Sequence, residues 1–390
     1  MIGPPVSLAD ARWMGSLPEA RRDSPAAGKK GETDMKPELE KCCADYLANR
    51  NEAKKAFRFN DAAIWSVCAS LFCACGHTAD AEQLKSCRKA LKKQTRPFSK
   101  FRGKVQPFLT SMLAVGDNPE ERMALASDRF RLLKRYFRKS EYLVLSAFLL
   151  DDLANRPLTE DIAARGKDLY RRMNKKHRLL TNKTDSVFAM LMAYSDKTED
   201  ELLADMGACY DALKAKFSGG SGVQTAAQVL SMKAGSPEEK TKRVIDLFDA
   251  LEEAGVKYGK ADELAPLAAL SLADASVAGL EEDIKAADDF LAEQRLWKTG
   301  DKEKVERSMH ALMIVSNLYA NTDRVNITVM TNTLDMLFAK QQASRFSFAV
   351  QALQALLQYV AGSKDKAEKA AENAQPEADA APAAGQPPKK

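Results

Sequence analysis

Along most of the chain, amphipathic stretches alternate with stretches that are apolar on every side. The apolar ones include YLVLSAFLL (142–150), SVFAMLMAY (186–194), VQTAAQVLSM (223–232) and LAPLAALSLA (264–273). Each is followed by a helix-start signal and then by apolar positions at helical spacing. Asn118-Pro119-Glu120-Glu121 and Ser236-Pro237-Glu238-Glu239 carry a capping residue, proline at the first helical position and glutamate at the third. Thr198 with Glu201 forms a capping box, and Thr159 and Gly279 precede similar stretches. Read from 118 to 279, these starts are 41, 39, 38 and 43 residues apart. A second marker agrees. Phe130, Tyr170, Tyr210, Phe248 and Phe290 recur at spacings of 40, 40, 38 and 42, and Leu133, Met173, Leu213 and Leu251 follow three residues later in four of them. A cap-to-aromatic distance of 11 or 12 residues is about three helical turns, so each aromatic falls late in an amphipathic helix and is expected to be largely buried.

Two markers with one period predict an all-α protein: stacked helical hairpins of about forty residues, each a buried helix followed by a half-exposed one, wound into an α-solenoid superhelix. An earlier, less regular copy runs from AAIWSVCASLFCACG (62–76) to AEQLKSCRKALKK (81–93), with Thr78 or Asp80 as its cap. Residues 302–361 are also helical in pattern, lose the markers, and read as a terminal cap. The short β-branched run VNITVM (325–330) adjoins helical pattern on both sides. The expected organisation is a single helical-repeat domain over 35–361. Residues 1–34, rich in Pro, Gly, Ser and Arg, are expected to be a disordered leader, with Met35 as an alternative native start. Residues 362–390 hold Ala, Lys, Glu and Pro without a large apolar side chain, and such a tail cannot offset its ordering entropy.

Composition narrows the class further. A length of 390 residues allows two or three domains or one elongated repeat array. Hydrophobic residues make up 45%, enough to fold most of the chain, while 7% aromatics is thin for a β-sandwich or barrel. No secretory pattern opens the chain, and the longest charge-free stretch, Phe346 to Ser363, is interrupted by Gln351, Gln354 and Gln358. The seven cysteines lack disulfide-framework spacing. Reduced thiols, a cytoplasmic location and no membrane partner are the expectations.

The segment RPFSKFRG (96–103), followed by these helix pairs, resembles an uncharacterised bacterial family, domain of unknown function 4003. Phe98, Ser99, Phe101, Arg102 and Gly103 carry the resemblance, with LAPLAALSLAD (264–274) and AKQQAS (339–344) adding to it. It covers Met35 to Tyr359. It implies a helical fold and a bacterial cytosolic setting, and brings no reaction with it. Cys68, Cys73, Cys75 and the Ala/Pro tail depart from the family's pattern.

Five features could carry chemistry. Cys68, Cys73, Cys75, His77 and Cys87 are metal-ligand types, but Cys73 sits about 140° around a helix from Cys68, so one helix cannot aim them at one ion, and buried core thiols are the plainer reading. The histidines His77, His177 and His310 share no motif, and Asp151-Asp152, Glu281-Glu282 and Asp288-Asp289 are helix neighbours that point apart. Gly219-Gly220-Ser221-Gly222 lacks the lysine of a phosphate loop and reads as a turn. From Lys85 to Lys104 there are nine Lys/Arg and no acid, with Phe98 and Phe101 interleaved. That suits phosphates and stacked bases; an exposed helix face, with Arg102 capping helix carbonyls, is the structural alternative. Finally, the net charge of +5 conceals a contrast: residues 81–183 hold 25 Lys/Arg against 11 Asp/Glu, and residues 184–301 hold 12 against 23. An elongated molecule so divided would be an electrostatic dipole.

No catalytic or cofactor motif appears, so the expected function is a non-catalytic cytosolic scaffold that binds a protein or peptide partner. Nucleic-acid or anionic-ligand binding by the basic half is the alternative, with Lys92, Lys93, Arg96, Phe98, Lys100, Phe101 and Arg102 as its candidate residues. An enzyme with a site in a helical groove is a third class, and salt-sensitive head-to-tail self-association is a rival explanation of the charge contrast.

Overall fold

A computed structural model of the chain describes residues 35–319, apart from 61, 155–156, 177–180, 182–184, 219, 262, 295 and 298–299. The expectations for the leader, the tail, residues 320–361 of the terminal cap and the run at 325–330 lie outside the described residues. So do His177 and the side chains of Asp151 and Asp152.

The described residues form fourteen α-helices and no strand. The odd-numbered helices are α1 (Pro37–Ala56), α3 (Ala81–Gln94), α5 (Pro119–Leu133), α7 (Glu160–Lys176), α9 (Glu199–Phe217), α11 (Pro237–Glu253) and α13 (Val277–Glu293). The even-numbered ones are α2 (Ala62–Ala74), α4 (Gln106–Ala114), α6 (Glu141–Ala154), α8 (Asp185–Met192), α10 (Ser221–Ser231), α12 (Leu264–Ser271) and α14 (Asp301–Leu318). Every residue of α4, α8 and α12 is buried. A helix apolar all round must be enclosed by others, whereas the odd helices bury one stripe and expose the rest. No described helix is long and apolar enough to cross a membrane.

Local chemistry sets the starts of the odd helices from α3 onward. The side-chain oxygens of Asp80, Asn118, Thr159, Thr198, Ser236 and Ser276 each accept from the amide three residues on. Each thereby satisfies one of the amides a helix leaves without an internal partner. Thr198–Glu201 and Ser236–Glu239 are full capping boxes. One start differs from expectation. Helix α13 is capped by Ser276, not Gly279, because only the serine carries an acceptor; the Gly279 amide is the donor, at 3.0 Å. Of the two caps expected for α3, Asp80 serves.

Each even helix packs on the odd helix before it, so the hairpins run half-exposed helix first, the reverse of the sequence expectation. Odd helices also pack on odd ones, as α3 on α5 and α11 on α13, and even on even, as α10 on α12. Between hairpins, polar side chains tie chain ends. The Arg165 guanidinium of α7 donates to the carbonyls of Ala193 and Ser195 at 3.1 and 2.7 Å and to that of Lys197. Arg243 of α11 makes the same contacts to Ser271, Ala273 and Ala275. In the intervening hairpin Asp205 of α9 pairs with Lys197 and Lys240, at 2.7 and 2.9 Å. Buried Asp185 of α8 accepts from Gln224 and Gln228 of α10 at 3.2 and 2.8 Å.

Aromatic rings repeat this pattern. Phe101, Phe137 and Phe217 precede α4, α6 and α10, and each meets edge-to-face the marker aromatic of the next odd helix: Phe130, Tyr170 and Phe248, at 5.2, 5.9 and 5.1 Å. The markers are less buried than expected. Phe248 is fully enclosed, while Phe130, Tyr170, Tyr210 and Phe290 are half-buried against the core, because the odd helices keep one flank in solvent.

The first and last described hairpins touch, although an open superhelix would hold them apart. Helix α14 packs on α1 and α2, and α13 on α1. Buried Tyr46 of α1 and His310 of α14 hydrogen-bond at 2.8 Å. Lys36, ahead of α1, pairs with Asp283 of α13 at 2.8 Å, and Tyr319 donates to the same carboxylate at 2.6 Å.

Candidate functional site

The segment 85–104 forms most of α3 and the turn that follows it. Helix α3 ends at Gln94, and Pro97 disfavours helical backbone in the residue before it. Lys92 and Lys93 lie in its last turn, where cations complement the helix dipole. Arg102 closes this end. Its Nε donates to the Thr95 hydroxyl at 2.9 Å, and its Nη2 donates to the carbonyls of Lys92 and Thr95. The Ser99 side chain caps a short 3₁₀ turn over Lys100–Arg102. Phe101 is 4% exposed and packs between Phe130 and Phe148. Phe101 and Arg102 therefore hold the turn from two sides, and Phe98 projects from it, 102% exposed.

A groove of about 740 Å³ opens beside this turn. Arg96, Lys100, Lys134 and Lys139 line it, together with the rings of Phe98, Phe101 and Phe130. Thr95, Ser99 and Ser127 add hydroxyls, and no acidic side chain is among the lining residues. Lys134, at the C-terminal cap of α5, sits 5.5 Å from the Phe130 ring centre. The surroundings combine fixed positive charge with aromatic surface, which suits an anion that also carries flat apolar groups.

The seven candidate residues divide accordingly. Arg96, Phe98, Lys100 and Phe101 line the groove; Arg102 supports it; Lys92 and Lys93 lie upstream on α3, with Lys93 3.7 Å from Glu120. Sequence reasoning missed Lys134, Lys139 and Ser127 and treated Phe130 only as a repeat marker. The available signal was Phe130 and Lys134 at helical spacing within the basic half.

The other features have structural surroundings. The Cys73 sulfur accepts from Asn49 at 3.3 Å, and Cys68 is fully buried in the core. Burial pushes both thiols up to about 12, which keeps them protonated and poor as ligands or nucleophiles at neutral pH. Among the described residues no three His, Cys, Asp or Glu side chains gather as a metal ion would need. Asp288 is buried and bound by Arg307 at 2.6 and 2.9 Å, while its neighbour Asp289 pairs with Lys285 on the surface. Gly220, at φ 110°, belongs to the turn between α9 and α10, and its positive φ is the reason for glycine there.

A model of the family described as protein of unknown function (DUF4003) matches residues 49–343. No curated protein and no solved structure matches the chain.

Proposed function

The chain belongs to this family of proteins of unknown function, and from that premise we propose that it is a non-catalytic binding scaffold whose groove beside α3 and α5 holds a negatively charged segment of a partner. The observation that carries this reading is the groove lining: four cations, three phenylalanine rings and no acid. Helical hairpins stacked with a period near forty form the frame. Caps at 80, 118, 159, 198, 236 and 276 support that period, being 38, 41, 39, 38 and 40 residues apart. The packing of α14 on α1 and α2 favours a stack closed into a circuit over an open superhelix. A cytosolic setting belongs to the proposal, supported by seven cysteines that are all free thiols.

Calorimetric titration with polyglutamate and with inorganic polyphosphate at low salt tests it. Binding of at least one polyanion is expected, weakening steeply as salt rises because the contacts are ionic. The double charge reversal Lys100→Glu with Lys139→Glu should abolish binding and leave the fold intact, since both lysines are exposed and exposed charges contribute little stability individually. A protein that binds neither polyanion at low salt overturns the reading. Sedimentation of the protein alone at low and high salt separates it from salt-sensitive self-association.

A further inference from the structure

Resting on the anion-binding reading and narrowing it, we propose that the groove binds single-stranded nucleic acid, with the Phe98 ring as a stacking platform for a base and the surrounding cations on the phosphates. Two observations carry this beyond anion binding in general. The first is Phe98. A fully exposed phenylalanine ring is an uncompensated apolar surface in water, and here it is presented on a braced turn. Ser99 N–H donates to the Arg96 carbonyl at 3.0 Å, Arg102 N–H to Ser99 at 2.9 Å, and the Arg102 guanidinium locks the turn to the end of α3. Because the backbone of the turn is already braced, a ligand that stacks on the ring need not order the turn as well. Every base has such a face, and only an unpaired strand can offer it.

The second is the approach to the groove. Lys85, Lys89, Lys92 and Arg96 are all exposed, and spacings of 4, 3 and 4 set them along one side of α3 and its end. Lys85 shares its charge with Glu82 at 2.6 Å. A row of cations leading into a cationic groove matches a polymer with one negative charge per unit better than a single small anion. An acidic peptide would use the cations and leave Phe98 without a necessary role.

The test is fluorescence anisotropy of a labelled oligothymidylate on the full chain at low salt. Competitors are its duplex with oligoadenylate, inorganic polyphosphate and polyglutamate. The single strand should bind more tightly than all three, with a log–log salt slope of about 0.7 per phosphate contacted. Phe98→Ala should weaken oligothymidylate by about tenfold or more and leave polyphosphate unchanged, and Phe98→Trp should retain binding. Equal affinity for oligothymidylate and polyphosphate, both indifferent to Phe98→Ala, would overturn the nucleic-acid proposal and leave the anion reading standing. Tighter binding of polyglutamate or of the duplex would overturn it as well. If no polyanion binds, both readings fail together.

Discussion

Arg102 shapes the groove without lining it. Its guanidinium takes up carbonyls that the end of α3 leaves over, and so fixes where Phe98 and Lys100 stand. A lysine in its place could not bond Thr95 and Lys92 from one planar fork. Arg102→Met should therefore cost about 1–3 kcal/mol, the penalty for leaving the partly buried Thr95 acceptors without a donor. Urea denaturation checks this, with Lys100→Met as the control. Lys100 is exposed, and its replacement should stay within about 0.5 kcal/mol of the parent.

At the scale of helices, contacts between hairpins depend on a few polar anchors set among apolar surfaces. Asp205 on α9 is the clearest, receiving Lys197 from the chain ahead of its own helix and Lys240 from α11. The Lys240 side chain is only 5% exposed, so removing the carboxylate strands a buried cation. Asp205→Ala should cost about 3–5 kcal/mol, with Asp205→Asn less damaging because an acceptor oxygen remains. Gly166 in α7 records the same closeness. A Cβ there would meet the Met190 sulfur of α8 at 2.5 Å and its Cα at 3.3 Å. Gly166→Ala should destabilise by about 1–3 kcal/mol, as overpacking does, despite the higher helix propensity of alanine. Denaturation midpoints of both variants measure these effects.

Across the helical body, burial raises the proton affinity of several weak acids. The thiols of Cys43, Cys68, Cys73 and Cys209 are pushed up to about 12 by desolvation, from an ordinary 9.0. Desolvation also raises the Tyr46 phenol. In the unfolded chain these groups release their protons earlier, so between pH 9 and 12 the folded state binds more protons than the unfolded one. Stability from this source is complete below pH 9 and falls as pH rises toward 12. Urea midpoints from pH 7.5 upward should be flat with respect to these thiols at first and then decline; constant midpoints through pH 11 would show that the thiols are not desolvated.

What could be read from the chain alone is what short-range chemistry decides. A capping side chain, a proline and a periodic apolar stripe act within one or two turns, so Asn118, Thr159, Thr198 and Ser236 mark helix starts directly. The fully apolar stretches likewise announced α6, α8, α10 and α12, since no other placement keeps such helices from water. Half of the groove was equally legible, because Arg96, Phe98, Lys100 and Phe101 are neighbours in sequence. The rest required tertiary structure. Lys134 caps the end of α5 and Lys139 lies in the segment beyond it, and only the packing of α3 on α5 brings them to the turn. Residue type cannot tell a cation that faces solvent from one that caps carbonyls, which is why Arg102 and Lys100 look alike until their surroundings are known. The meeting of Tyr46 with His310 joins residues 264 apart. Contacts of that range depend on how all the intervening helices pack on one another, and no local pattern of residues encodes that sum.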